Sequence, residues 1–331
     1  MADRTFENGF DIKKEMLRTI EDLKDKLPPF IQETVVDTLK KDGIVIGVSG
    51  GVDSALIATL AVQALGHDHV YGLILPEKES SPQSRELAMK LCRKLKIPFS
   101  EVPITPMLES FGIYTQKESL LQDLFPQYDP AIHTTNLFLP PGISSGSLLA
   151  LPSIRLSNDK GSISTKRLSA PQYLKLISLQ NVKQRTRMIV LYMQAEKMNY
   201  SVSGTTNKSE LLTGYFVKFG DGGVDLEPIA DLYKLQVYKL AELLNIDTKI
   251  ISRAPSPDTW SHFTSDEDFY LRMPYDILDQ LLYAEEHHLP SEIILKNTGL
   301  NASQIESAFK HIHTMKNASQ MLQLSPPVYK E

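Results

Sequence analysis

Residues Ser49-Gly50-Gly51-Val52-Asp53-Ser54 gather two hydroxyls, two adjacent glycines and a carboxylate within six positions. That mixture suits an anion. Small residues let backbone N–H groups close on a ligand, and serine hydroxyls add donors. If a helix begins here, its first N–H groups lack intrahelical partners and carry partial positive charge. A phosphate or pyrophosphate fits such a turn. Asp53 is the odd member, because a carboxylate repels phosphate unless a cation lies between them. Mg²⁺ binds through few carboxylates plus phosphate oxygens, so Asp53 points to that ion. The stretch is neither a G-x-x-x-x-G-K-[ST] loop nor a G-x-G-x-x-G fingerprint.

The flanking residues must place this turn. Ile44, Val45 and Ile46 read as a buried strand, and Ala55–Leu65 as an apolar helix stopped by Gly66. Strands are also predicted over Val70–Leu75 and Pro98–Val102, with a helix over Ser84–Leu95 between them. This alternation predicts an α/β fold: a three-layer, doubly wound, mostly parallel sheet. Ligands of such sheets bind beyond the carboxyl ends of the strands, where Ser49–Ser54 and the Pro76–Ser81 turn both fall. Ahead of the first strand, helical spacing runs through Phe10–Leu27 and again through Phe30–Leu39, with Pro28 and Pro29 predicted to separate them.

Residues 104–171 read differently. Seven prolines between 106 and 171, the GISSGS piece at Gly142–Ser147 and the polar Ser157–Ser164 predict a long, irregular, weakly structured insert. Leu179–Met198 then reads as a helix, whose Lys183, Arg185 and Arg187 are ordinarily solvent-facing. Tyr200–Ser203 reads as a strand, and Gly204–Glu210 turns into a helix with a capping residue at its start. Gly220, Gly222 and Gly223 surround Asp221 in a loop. Further helices are predicted over Lys234–Leu244, Pro274–His287 and Ala302–Met315. The reading is one domain over 1–331, with the insert near 104–171 and a helical C-terminal part near 270–331.

The chain has 331 residues, 42% hydrophobic and 23% charged, as ordinary globular proteins do. Net charge is −5 with no basic block, which argues against nucleic acid as a partner. One cysteine, Cys92, excludes an internal disulfide, and no Cys/His metal spacing occurs. The N-terminus lacks a signal pattern and no apolar run is long enough for a bilayer, so a cytoplasmic protein with no membrane partner is expected.

SGGVDS at Ser49–Ser54 resembles the PP-loop of ATP pyrophosphatases, which cut ATP between the α and β phosphates. Further words choose the branch: NVKQRTRM at Asn181–Met188, GTTNKSE at Gly204–Glu210, TGYFVKFGDGGVD at Thr213–Asp225, LEPIADLYK at Leu226–Lys234 and APSPDTW at Ala254–Trp260. In this order they resemble the ammonia-dependent NAD synthetase family. The resemblance implies an adenine nucleotide alpha-hydrolase-like fold, with deamido-NAD, ATP and ammonia as substrates, Mg²⁺ as cofactor, and a homodimer. It implies ATP binding by Gly47, Val48, Ser49, Gly50, Gly51, Val52, Asp53, Ser54, Thr205, Lys234 and Ser256, the last in place of the family's usual threonine. It assigns deamido-NAD to Arg185, Lys218 and Asp225, the metal to Asp53 and Glu210, and catalysis to Asp53, Glu210 and Lys218. Three departures stand out: the insert, Leu75-Pro76 in place of Met-Pro, and a C-terminal His-Lys contact for which Lys316 is the nearest match. Two other readings fit the residues: an amide ligase of the same fold acting on another small acid, and a non-catalytic nucleotide-binding protein.

Overall fold

In chain order the elements are α1 (Ile12–Leu17), α2 (Ile20–Gln32), β1 (Ile44–Gly47), α3 (Val52–Leu65), β2 (Val70–Ile74), α4 (Pro82–Leu95) and β3 (Phe99–Glu101). There follow α5 (Thr105–Ser110), α6 (Ile113–Leu124), β4 (Thr134–Phe138), β5 (Ser153–Asn158), β6 (Gly161–Arg167), α7 (Ala170–Met198) and β7 (Ser201–Ser203). The chain ends with α8 (Lys208–Thr213), α9 (Lys234–Leu243), α10 (Thr248–Ile251), α11 (Tyr275–Glu286), α12 (Ser291–Thr298) and α13 (Ala302–Gln323). This computed structural model describes residues 9–139 and 151–329. The GISSGS piece lies outside the described residues.

Four parallel strands in the order β3-β2-β1-β7 form the central sheet, with Ile44 facing Val70 on one side and Ser201 on the other. Strand periodicity sends alternate side chains to opposite faces. Ile44 and Ile46 accordingly join the core built with α2 and α3, while Val45, Leu73 and Val202 join the core under α7. Both faces of β1 are dry, which is the three-layer arrangement a continuous β-branched run demands. Cys92 of α4 is 0% exposed in the first of these cores, and burial pushes its thiol up to about 12.

Several boundaries differ from expectation. Pro28 and Pro29 lie inside α2 rather than ending it. Each removes a donor, yet Ile20, Leu27 and Ile31 still bury one stripe in the core shared with α3. A π-helical turn at Glu33–Thr38 then closes the segment. α7 begins nine residues earlier than predicted. Ser169 and Gln172 form a capping box there, and Pro171, read as loop, occupies the first turn, where a missing N–H costs nothing. At 29 residues α7 is about 43 Å long.

Residues 104–171 are more regular than their prolines imply. They hold α5, α6 and an antiparallel sheet β4-β5-β6. Its inner face carries Leu137, Ile154 and Leu156, which pack with Leu120 and Leu121 of α6, Phe125 just past its end, Leu176 of α7 and Trp260. The C-terminal helices α11 to α13 form a separate core that also takes in Ile12 and Met16 of α1. Among the described residues no helix is long and apolar enough to cross a membrane.

Candidate active site

β1 ends at Gly47 and α3 starts at Val52, so residues 48–51 turn at the carboxyl edge of the sheet. Gly50 has φ +78°, and a Cβ there would lie 2.3 Å from the Ser84 carbonyl oxygen on α4. Conformation and neighbour both require glycine at that position. Gly51, by contrast, is extended (φ −90°) and caps α3. The turn is held from within. The buried Ser54 hydroxyl donates to the Gly51 carbonyl (3.1 Å) and accepts from the Ser49 N–H (3.2 Å) and the Ser49 hydroxyl (3.0 Å). Gly51 N–H donates to Ser49 Oγ at 3.2 Å.

The opposite wall is built by α8 and α9. Asn207 caps α8: its Oδ1 accepts from the Glu210 N–H (3.1 Å), and Glu210 Oε2 accepts from the Asn207 N–H (3.4 Å). The remaining Asn207 amide donates to Asp53 Oδ1 at 3.0 Å, so one side chain fixes both acids. Lys234, in the first turn of α9, is 2% exposed and donates to Asp53 Oδ2 at 2.6 Å and Glu210 Oε1 at 3.3 Å. Its position is set by Asp279, which accepts from Ser209 Oγ (2.5 Å) and from the Leu235 N–H (2.8 Å).

A third acid, Asp266, completes the cluster. Tyr215 donates to it at 2.8 Å, and the Tyr275 hydroxyl lies 3.1 Å from Asp266 and 3.5 Å from Glu210. Burial pushes the Glu210 carboxyl up to about 8; Lys234 opposes the rise, and Asp53 and Asp266 add to it. Burial works against the Lys234 ammonium, but Asp53 and Glu210 outweigh it and raise that group. With all three carboxyls ionised around one ammonium the excess is two negative charges, and burial resists that state by holding protons on Glu210 and Asp266. A divalent cation shared with phosphate oxygens matches that excess, so the donor set fits Mg²⁺. Among the described residues no three acidic, histidine or cysteine side chains form a ready-made metal cage.

A cavity of about 560 Å³ opens over this cluster. Of the residues expected to bind ATP, Gly47, Val48, Ser49, Gly51, Val52, Asp53, Thr205, Lys234 and Ser256 line it, whereas Gly50 and Ser54 lie behind and shape the turn. Arg185 and Lys218 line it too, and Arg185 Nε donates to the Lys218 carbonyl at 3.2 Å. Lys218 Nζ donates to the Leu324 carbonyl beyond α13 at 2.9 Å. Asp225 stands apart, exposed and outside the lining. Its carboxylate accepts from Tyr192 (2.9 Å) and from the Val202 N–H (2.7 Å). Lys316 and His313 both pair with Glu285 and do not reach the cavity. Lys183, expected to face solvent, is 1% exposed. Sequence reasoning passed over Asp266 and Tyr275. Asp266 sits in the polar stretch 259–268, which carries no periodicity to mark it. Asn207 was not singled out either; the sequence marked only some capping residue at the start of the helix after Gly204.

A parallel sheet whose central strand feeds a glycine-serine turn against an acid–lysine cluster defines an α/β nucleotide-binding enzyme. The chain matches the family model for NAD synthase over residues 23–127 and 155–321. It is 35% identical over 302 residues to the NH(3)-dependent NAD(+) synthetase of Mesorhizobium japonicum, covering 91% of this chain and 94% of that one. The Thermotoga maritima enzyme of the same name is 40% identical over 260 residues, or 78% and 85% of the two chains. Among solved structures, NMN synthetase from Francisella tularensis superposes with TM-score 0.66 at 25% identity, over 94% of this chain and 99% of that one. The NH3-dependent NAD synthetase of Campylobacter jejuni, in complex with nitrate, gives 0.61 at 25% identity over the same shares. The chain belongs to the NAD synthase family.

Proposed function

We propose that the chain amidates deamido-NAD with ammonia, using ATP and releasing AMP and pyrophosphate. A carboxylate is a poor electrophile because oxide is a poor leaving group. The substrate carboxylate therefore attacks the α-phosphorus of ATP, the bond to the β-phosphate oxygen breaks, and pyrophosphate departs. Ammonia then attacks the acyl carbon of the resulting adenylate; AMP leaves and a proton is lost to solvent. No side-chain nucleophile is required, and catalysis rests on positioning and electrostatics.

In this reading the 48–51 turn holds the phosphates with its N–H groups and the Ser49 hydroxyl. Lys234 steadies the charge that develops on pyrophosphate, and Thr205 and Ser256 hold the nucleotide from the facing wall. Asp53 and Glu210 would hold Mg²⁺, which when bound offsets phosphate charge. Arg185 and Lys218 receive the acid substrate. Asp225, on the exposed edge beside α7, meets the dinucleotide where a second copy of the chain packs. Ile189 (63% exposed) and Met193 (60%) lie one turn apart on α7 and give that packing its apolar stripe. The enzyme would work in the cytoplasm, where ATP is available.

The observation that carries the proposal is Lys234 clasped between Asp53 and Glu210 across from the glycine-serine turn, in a chain of this family. The likeness to an NMN synthetase favours one other reading, in which the acid is a mononucleotide. Product mass and pyrophosphate release, measured with deamido-NAD and with the corresponding mononucleotide acid in the presence of ammonium, separate the two. Pyrophosphate release with the mononucleotide alone would overturn the dinucleotide reading.

A further inference from the structure

A buried ion network lies beside the nucleotide cavity and takes no part in the chemistry above. It joins Glu77 and Glu79 from the turn after β2, Tyr114 and Lys117 from α6, Lys183 from α7 and the backbone at Thr259. Lys183 donates to Glu77 Oε1 (2.8 Å), Glu79 Oε2 (2.6 Å) and the Thr259 carbonyl (2.7 Å), which uses all three of its protons. Lys117 donates to Glu79 Oε1 at 2.6 Å and rests 4.6 Å over the Trp260 ring. Tyr114 donates to Glu77 Oε2 at 2.6 Å. Two carboxylates and two ammoniums balance. Such buried pairs add little net stability over an apolar filling, but breaking one strands a charge, so they hold a geometry firmly.

The two backbone pieces clasped here touch each other, and both border the nucleotide cavity. Pro76, Ser80 and Ser81 of the first piece and Ser256, Asp258 and Thr259 of the second all line it. Next to Thr259, the Asp258 carboxylate accepts from the Ser81 N–H (3.0 Å) and the Ser84 hydroxyl (2.7 Å), so the loops are stitched at two consecutive residues. Only the Lys183 stitch is anchored in the long α7 helix. We propose that Lys183 is a positioning residue for ATP: it fixes residues 254–260 against the turn after β2, and so sets Ser256 and the nucleotide-facing wall without touching the nucleotide. The proposal rests on the ATP-dependent reading above, though not on which acid is amidated.

The test is Mg–ATP affinity by titration calorimetry, together with steady-state kinetics. K183M/E77Q keeps the network neutral, with Lys117 still paired to Glu79. We expect its Kd and KM for ATP to rise about tenfold, while kcat at saturating ATP, KM for deamido-NAD and the thermal midpoint stay near wild type. K117M, whose lysine meets this loop only at the ring of Trp260, outside the cavity lining, should do the reverse: a lower midpoint, with ATP affinity within about threefold of wild type. Wild-type ATP affinity in folded K183M/E77Q, or equal weakening in K117M, overturns the proposal. Absence of pyrophosphate release by the wild type with every acid would count against the amidation reading alone, because the calorimetric comparison stands without turnover.

Discussion

Gly50→Ala is the sharpest perturbation of the nucleotide turn. An L-residue held at φ +78° costs about 1–2 kcal/mol before any contact is considered. The added Cβ would also stand 2.3 Å from the Ser84 carbonyl oxygen, and 3.1 and 3.2 Å from the carbon atoms behind it. Those are backbone atoms in the first turn of α4, so no side chain can swing aside. Relief requires the turn and the helix to part by about 1 Å, the difference from an ordinary carbon–oxygen contact of this kind. Overpacking of that order adds about 1–3 kcal/mol. The total, about 2–5 kcal/mol, should lower the thermal midpoint by several degrees. A displacement of about 1 Å at the phosphates should lower kcat/KM about a hundredfold. Gly51→Ala supplies the contrast: the backbone is already extended, and the nearest atom to a new Cβ is Ser49 Oγ at 3.3 Å. Its stability should stay within about 1 kcal/mol of wild type. The assays are thermal unfolding and pyrophosphate release with deamido-NAD, ATP and ammonium. A wild-type midpoint for Gly50→Ala, or equal losses of stability for the two variants, would refute the reasoning.

Three further outcomes follow from the same geometry. Asp53→Asn keeps the shape of the side chain but removes one charge from the acid cluster, so turnover should fall about 10²–10³-fold; wild-type turnover should likewise vanish on chelation and return with Mg²⁺, and activity unaffected by chelator would contradict the ion. Glu227 is pushed from an ordinary value of 4.5 up to about 8 by burial, with the Thr206 hydrogen bonds only partly opposing. Its folded-state value lies above its unfolded one, so its ionisation erodes stability as pH climbs from 4.5 to about 8. Glu227→Gln, which keeps an oxygen for the Thr206 N–H, should therefore gain a few kcal/mol over wild type above that window and little below pH 5, as read from denaturant midpoints across pH. Finally, Ile189→Glu with Met193→Glu places charge on the exposed stripe of α7, and on the proposed packing sedimentation should give dimers for the wild type and monomers for this variant.

The legible parts of the chain were those in which pattern and burial coincide. Ile44–Ile46 is apolar at every position because both faces of β1 are covered, and the small residues after it have one reading, a turn into α3. The second sheet was obscured by its own exposure. β6, Gly161–Arg167, is open to solvent along most of its length, so hydrophobic alternation cannot appear in it. Its partner β5 shows the signal only at Ile154 and Leu156. Lys183 misled for a different reason. Helix periodicity says which residues share a face but not what covers that face, and here Glu77, 106 positions away, does so. Asp266 was hidden in the same way, because the hydroxyls of Tyr215 and Tyr275 converge on it only once the C-terminal helices have packed.

The depth at which Cys92 is set has a practical consequence. With its thiol pushed up to about 12 and no exposed surface, it offers alkylating reagents almost no thiolate near neutral pH. No second sulfhydryl exists in the sequence. The molecule is thus a blank background for site-directed labelling: one cysteine introduced on the 254–260 loop and another near Ser80 would be the only reactive handles. A probe pair placed there would report whether these two hydrogen-bonded loops part in solution.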